Sequence, residues 1–108
     1  MKQNTTTDFK AFIKERELES GKKRRVLCYE RRQTDWILLE YRLFKDMDED
    51  EKLPYSVGIC ASNGKRERYT ELENCFYELD ISKMFFDVLV RNMATPVALS
   101  YIYNDFTE

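Results

Sequence analysis

Histidine is missing altogether from this 108-residue chain. Its absence removes the commonest general base, the Ser-His and Cys-His nucleophile pairs, and most zinc sites. Glycine is scarce: Gly21, Gly58 and Gly64 stand far apart, so no glycine-rich loop can cradle a phosphate. The three cysteines, Cys28, Cys60 and Cys75, form no C-x-x-C pair. Reduced and mostly buried thiols of a cytoplasmic protein are a more economical reading than a three-thiolate metal site. Long apolar runs are absent too; none approaches the roughly 20 residues of a membrane span. The opening Met-Lys-Gln-Asn-Thr-Thr-Thr has no apolar core of the kind a signal peptide carries. Neither charge sign dominates, and a net charge of -2 predicts no strong pull on nucleic acid or membrane.

What is present points to one folded domain spanning 1–108, with residues 1–8 polar and flexible. Aromatics reach 14% of the chain, which argues against disorder because each ring brings a large apolar area. Charged residues make up 35%, above the usual share of about 25%. They are unevenly placed. Residues 1–33 carry ten Lys/Arg against five Asp/Glu, net +5, and residues 34–108 carry eight against fifteen, net -7. Opposite signs in two parts of one small domain favour self-complementary surfaces over a charged ligand.

The organising stretch is 34–44, Thr-Asp-Trp-Ile-Leu-Leu-Glu-Tyr-Arg-Leu-Phe. As a strand it places Ile37, Leu39, Tyr41 and Leu43 on one face, and Trp36, Leu38, Glu40, Arg42 and Phe44 on the other. Both faces carry apolar side chains, so part of the second face also needs a cover. Before it, residues 23–31 read as a strand through Val26, Leu27, Cys28 and Tyr29. Residues 9–19 are ambiguous: Thr7 can cap a short helix with Phe9, Phe12 and Ile13 on one side. The Glu-Ser-Gly-Lys run at 19–22 instead suits a hairpin turn, which favours a strand near 13–19.

After the central strand comes an acidic loop at 45–53. Asp46, Asp48 and Asp50 have the spacing of the first calcium-loop ligands, but Glu51 stands where glycine is needed and Val57 where the closing glutamate is needed. A solvated loop is the better reading. Tyr55-Ser-Val-Gly-Ile-Cys-Ala alternates as a strand, and Asn63-Gly64 predicts a two-residue type I′ hairpin turn. That register pairs Arg66 with Ala61, Arg68 with Ile59 and Tyr69 with Gly58, the ring lying across the space left by the missing side chain. Glu67, Glu71 and Glu73 alternate along this strand as a solvated face. The extended piece at 75–79 continues it, after a bulge or as a separate strand.

The C-terminal part is helical. Ser82 is the expected N-cap, with Ile81 stapled to Phe86. Ile81, Met84, Phe85, Val88 and Leu89 form the expected buried stripe, and Thr95-Pro96 the expected stop. A last short helix puts Leu99, Ile102, Tyr103 and Phe106 on one face, capped by Thr95 ahead of Pro96 or by Ser100. The architecture that follows is α+β: an antiparallel meander of four or five strands, then two C-terminal helices packed on one face, the face of Ile37, Leu39, Tyr41 and Leu43.

Three pieces, Leu39-Glu-Tyr-Arg-Leu-Phe44, Tyr55-Ser-Val-Gly-Ile59 and the closing run from Asp80-Ile-Ser82 through Ala94-Thr-Pro-Val-Ala-Leu99 to Phe106, resemble a family of small, functionally uncharacterised proteins of anaerobic Gram-positive bacteria. The resemblance covers about the last two-thirds of the chain. It departs from the family at the Ser-Val pair before Gly58 and at Ala98, where histidine is expected. It implies a bacterial cytoplasmic origin and assigns no functional residue.

Function is read by elimination. Nothing in the chain makes a catalytic constellation, a metal site or a cofactor site. The first expectation is a non-enzymatic protein that binds another protein, or itself as a homodimer, through Trp36, Leu38 and Phe44 if these are exposed. If the leading segment covers them, they are core. The second is a nucleic-acid module on Lys22, Lys23, Arg24, Arg25, Arg31 and Arg32 with Tyr29 interleaved. Against it, such cations commonly protect an edge strand, and the acidic remainder repels phosphate. A third is a small-molecule pocket between sheet and helices lined by Tyr41, Phe85 and Tyr103.

Overall fold

The computed structural model describes residues 23–48 and 52–108. The start expected to be flexible at 1–8, the ambiguous segment at 9–19, the expected turn at Gly21, Lys22, and positions 49–51 of the acidic loop lie outside the described residues, as does the stretch where a fifth strand is expected.

Four strands form one antiparallel meander: β1 (Arg24–Gln33), β2 (Leu38–Asp46), β3 (Tyr55–Ser62) and β4 (Glu67–Phe76), in spatial order 1-2-3-4. Two helices follow, α1 (Leu79–Arg91) and α2 (Leu99–Thr107), joined through a single 3-10 turn at Pro96–Ala98. This is the predicted α+β architecture. Short connections dictate it, because strands joined by a few residues must run antiparallel to their neighbours.

The two hairpin turns differ in detail from the sequence expectation. Trp36 belongs to a turn and not to β2. The Thr34 hydroxyl accepts the Trp36 and Ile37 amides at 3.2 and 3.1 Å, and the Thr34 amide donates to the Ile37 carbonyl at 2.9 Å. A side chain that satisfies its own backbone competes with the strand ladder, so pairing begins only at Leu38. In the β3–β4 turn, Asn63 acts in the same way: its side-chain oxygen accepts the Lys65 and Arg66 amides at 3.0 and 2.9 Å. Only Gly64, at φ +90°, takes the left-handed conformation here. The loop is therefore four residues long, with Ser62 facing Glu67, Ala61 facing Arg68 and Cys60 facing Tyr69. The predicted register is wrong by two residues. An even shift keeps each side chain on its face.

Strand β4 is continuous through Phe76, with a bulge in the 73–75 stretch opposite Ser56. Asn74 makes this bulge at φ 51°, with its amide donating to the Ser56 hydroxyl at 2.8 Å and its side chain to the Leu53 carbonyl at 2.8 Å. A second irregularity, between Val26 and Cys28, lets β1 face β2 with Cys28 opposite Leu43 and Tyr29 opposite Arg42.

Both helices sit on the predicted face. Leu39, Tyr41, Leu43, Val57 and Ile59 from the sheet meet Phe85, Phe86, Leu89, Val90 and Leu99, all buried. Each of these large side chains contributes roughly 1.5–3 kcal/mol. Helix α1 starts earlier than expected, at Leu79 after Glu78, and Ser82 is inside its first turn, donating its hydroxyl back to the Glu78 carbonyl at 2.7 Å. The buried stripe is accordingly Ser82, Phe85, Phe86, Leu89 and Val90, while Met84 is exposed. The helix also stops before Thr95-Pro96. Met93 takes φ 50°, its amide bonds the Val90 carbonyl at 3.1 Å, and the Ala94 amide bonds the Leu89 carbonyl at 3.0 Å. This is a Schellman ending with methionine in the glycine position. Thr95 and Pro96 open the 3-10 turn, but α2 itself begins after Ala98 and neither Thr95 nor Ser100 caps it; Leu99, Ile102, Tyr103 and Phe106 pack on the core.

Candidate functional site

The second face of the sheet, which the described helices do not cover, is the unusual part of the molecule. On β2 it carries Leu38, Glu40, Arg42, Phe44 and Asp46, and all five are buried. The alternation of β2 places them, and β1 and β4 supply their neighbours. The Arg42 guanidinium lies 4.3 Å from the centre of the Tyr29 ring, and the Tyr29 hydroxyl donates to Glu40 at 2.6 Å. Across the sheet, the Tyr69 hydroxyl donates to Glu71 at 2.6 Å. Arg24 sits over the Phe44 ring at 5.2 Å and forms an ion pair with Glu71, with Glu73 3.7 Å away. Burial works against both cations. For Arg42 it prevails and lowers the pKa, whereas for Arg24 the hydrogen bond and charge of Glu71 outweigh it and raise the pKa.

This layer corrects two sequence expectations. Glu71 is not on a solvated face; its side chain and that of Arg24 are 2% and 3% exposed. Leu38 and Phe44 do not join Trp36 in an exposed patch, because both are buried while Trp36 is 84% exposed. The predicted contact of Tyr69 with Gly58 is present, but it runs diagonally. A β-carbon on Gly58 would lie 2.4 Å from the Tyr69 hydroxyl oxygen.

The basic run is dispersed by the same alternation. Arg24 is committed to Glu71, Arg25 and Lys23 are exposed, and Arg32 pairs with Glu30 at 3.1 Å. Register places Arg31 opposite Glu40 and Arg32 opposite Leu39, on opposite faces. The described cations of the run thus do not share one surface.

The space between sheet and helices is filled by rings. Tyr41 and Phe85 are fully buried, and Phe85 lies against Tyr103 and Phe106 at centroid distances of 5.8 and 5.1 Å. The Tyr41 hydroxyl donates to the Ala94 carbonyl at 2.9 Å, and burial pushes its pKa up to about 12. The Tyr103 hydroxyl donates to the Cys75 carbonyl at 2.9 Å. Burial also raises the Cys75 thiol to about 12, and raises that of Cys28. The side chains expected to line a pocket are core.

Concavities lie elsewhere. One, of about 480 Å³, is bounded by Glu30, Arg32, Asp87, Val90 and Arg91, where opposite charges balance. Another, of about 360 Å³, opens at the end of the sheet that bears both hairpin turns. Its apolar walls are Ile37, Pro96 and Val97, and Arg66, Glu67 and Arg68 stand among its lining residues. Trp36 immediately precedes Ile37, and Val97 is itself 60% exposed. The 3-10 turn at Pro96–Ala98 builds one wall, and the alternation of β3 the floor at Ala61. Sequence reasoning missed this groove because its residues come from three distant turns. Among the described residues no group of three metal-ligating side chains comes together, and no helix is long and apolar enough to cross a membrane. No protein-family model, no curated protein and no solved structure matches this chain.

Proposed function

We propose that the chain is a small non-enzymatic cytoplasmic protein that works by binding another protein through the end of the sheet where Trp36 stands. The observation that carries this reading is the exposure of Trp36, 84%, in a turn held by three hydrogen bonds, whose next residue, Ile37, lines an apolar groove. Tryptophan is a favoured anchor of protein interfaces, and a turn already fixed loses little freedom on binding. The polyanion reading is weaker because Arg24 is spent inside the fold and the remaining cations face two ways.

Trp36→Glu tests the proposal, since the side chain supports no core and the variant should melt with the wild type. Complexes that the full-length protein forms in cell extract, or a dimer seen by light scattering, should weaken at least ~30-fold in the variant, as for an anchor worth ~2 kcal/mol or more. Complexes of unchanged strength in a folded Trp36→Glu protein would refute it. For the nucleic-acid alternative, Arg25→Glu with Arg32→Glu is the proper variant, because reversing Arg24 would disrupt the fold.

A further inference from the structure

Resting on that reading, we infer that the groove beside Trp36 takes an acidic, extended segment of a different protein, an apolar side chain seated between Ile37 and Val97 and its carboxylates on Arg66 and Arg68. Charge favours this occupant. Both arginines are exposed, and among the described residues neither guanidinium has an ion-pair partner, although the Glu67 carboxylate lies between them in sequence. Glu67 faces Ser62 and so belongs to the alternate row of side chains. The groove thus offers two uncommitted guanidiniums against one carboxylate, above an apolar floor. Guanidinium presents a planar fork that matches a carboxylate in two parallel hydrogen bonds.

The size fits as well. A concavity of about 360 Å³ is at the small end of ligand sites, room for one or two side chains and not for a folded domain. A second copy of this chain is a poorer occupant. Two-fold pairing through this end would place the same patch on both sides of the interface, opposing four guanidiniums with only two carboxylates. A partner of opposite charge gains from the field that a copy would suffer.

The test uses the full chain and its one tryptophan as reporter. The probe is a degenerate pool of acetylated hexapeptide amides in which Asp or Glu alternates with Leu, Ile, Val or Phe. The control pool has Asn or Gln in place of the acids. A saturable change in tryptophan emission with the acidic pool is expected. It should require at least tenfold more of the control pool, and at least tenfold more acidic pool in an Arg66→Glu, Arg68→Glu double variant. Trp36→Phe must remove the signal while isothermal calorimetry still detects binding. Equal binding of the two pools, no saturation with the acidic pool, or indifference to the arginine reversals would overturn the inference. So would a concentration-dependent dimer abolished by those reversals, which would give the groove to a second copy. If complexes from extract depend on Trp36 while the peptides fail, the binding function stands and only the acidic partner is lost. If Trp36→Glu is without effect on them, the function itself falls.

Discussion

Single residues hold the face opposite the helices together, and Gly58 and Tyr69 are the clearest case. The Tyr69 ring occupies the volume that any side chain at 58 would claim, with its oxygen 2.4 Å from the position of an added β-carbon. That hydroxyl is also tied to Glu71, which in turn pairs with Arg24, so the ring cannot swing away without loosening a buried ion pair. Gly58→Ala should therefore cost about 1–3 kcal/mol by urea unfolding, the usual range for overpacking. Adding Tyr69→Phe should recover only part of it, because ring carbons at 2.9 and 3.0 Å stay in the way. A Gly58→Ala protein as stable as wild type would show that the ring is not confined. The contact was legible in sequence, from a lone glycine in a strand with a tyrosine on the neighbouring strand. The commitment of Arg24 was not, because Arg24 and Glu71 are 47 positions apart and nothing local marks either as buried.

At the scale of elements, sequence patterns identified every described strand and both helices, and failed at their ends. Three times a polar side chain reached its own backbone and moved a boundary: Thr34 ended the ladder before Trp36, Asn63 lengthened the hairpin loop, and Ser82 bonded backward inside α1 instead of capping it. Such hydrogen bonds compete with regular structure on nearly equal terms, so composition alone does not choose between them. The buried stripe of α1 also lies about one residue later than expected, burying Phe86 and Val90 and releasing Met84. Its far end stops on Met93 in a conformation that costs a side-chain-bearing residue roughly 1 kcal/mol. Met93→Gly should raise stability by about 0.5 kcal/mol or more in thermal or urea melts, glycine's greater freedom in the unfolded chain offsetting part of the gain. Asn74→Gly should do the opposite despite a similar φ, because the Asn74 side chain bonds the Leu53 carbonyl and reaches Asp46. Equal effects at the two positions would count against this distinction.

For the whole molecule, the decisive property is a pair of central strands, β2 and β3, buried on both sides, apolar and aromatic under the helices and charged on the reverse. The helix side sets the response to alkali. Burial raises both the Tyr41 phenol and the Cys75 thiol to about 12, from ordinary values of 10.0 and 9.0. The folded chain therefore holds these protons after the unfolded chain has released them. Stability from this source is complete below pH 9 and is lost as pH rises from 9 to 12. Urea midpoints should be level from pH 7 to 8.5 and fall steadily above 9, with a shallower fall in Tyr41→Phe once its lower starting stability is subtracted. A midpoint independent of pH up to 11 would contradict this.

The bulge at Asn74 has a consequence for how the last hairpin finds its alignment. The Asn63-Gly64 pair can close a tighter loop, and sliding β4 by two positions to match it would leave every side chain facing its own side, so parity gives no protection against that slip. Asn74 does, because the slide would drag it off Ser56 and Leu53. It works as a pawl at the open end of the hairpin, and a chain cut short ahead of it would be free to close on either tooth.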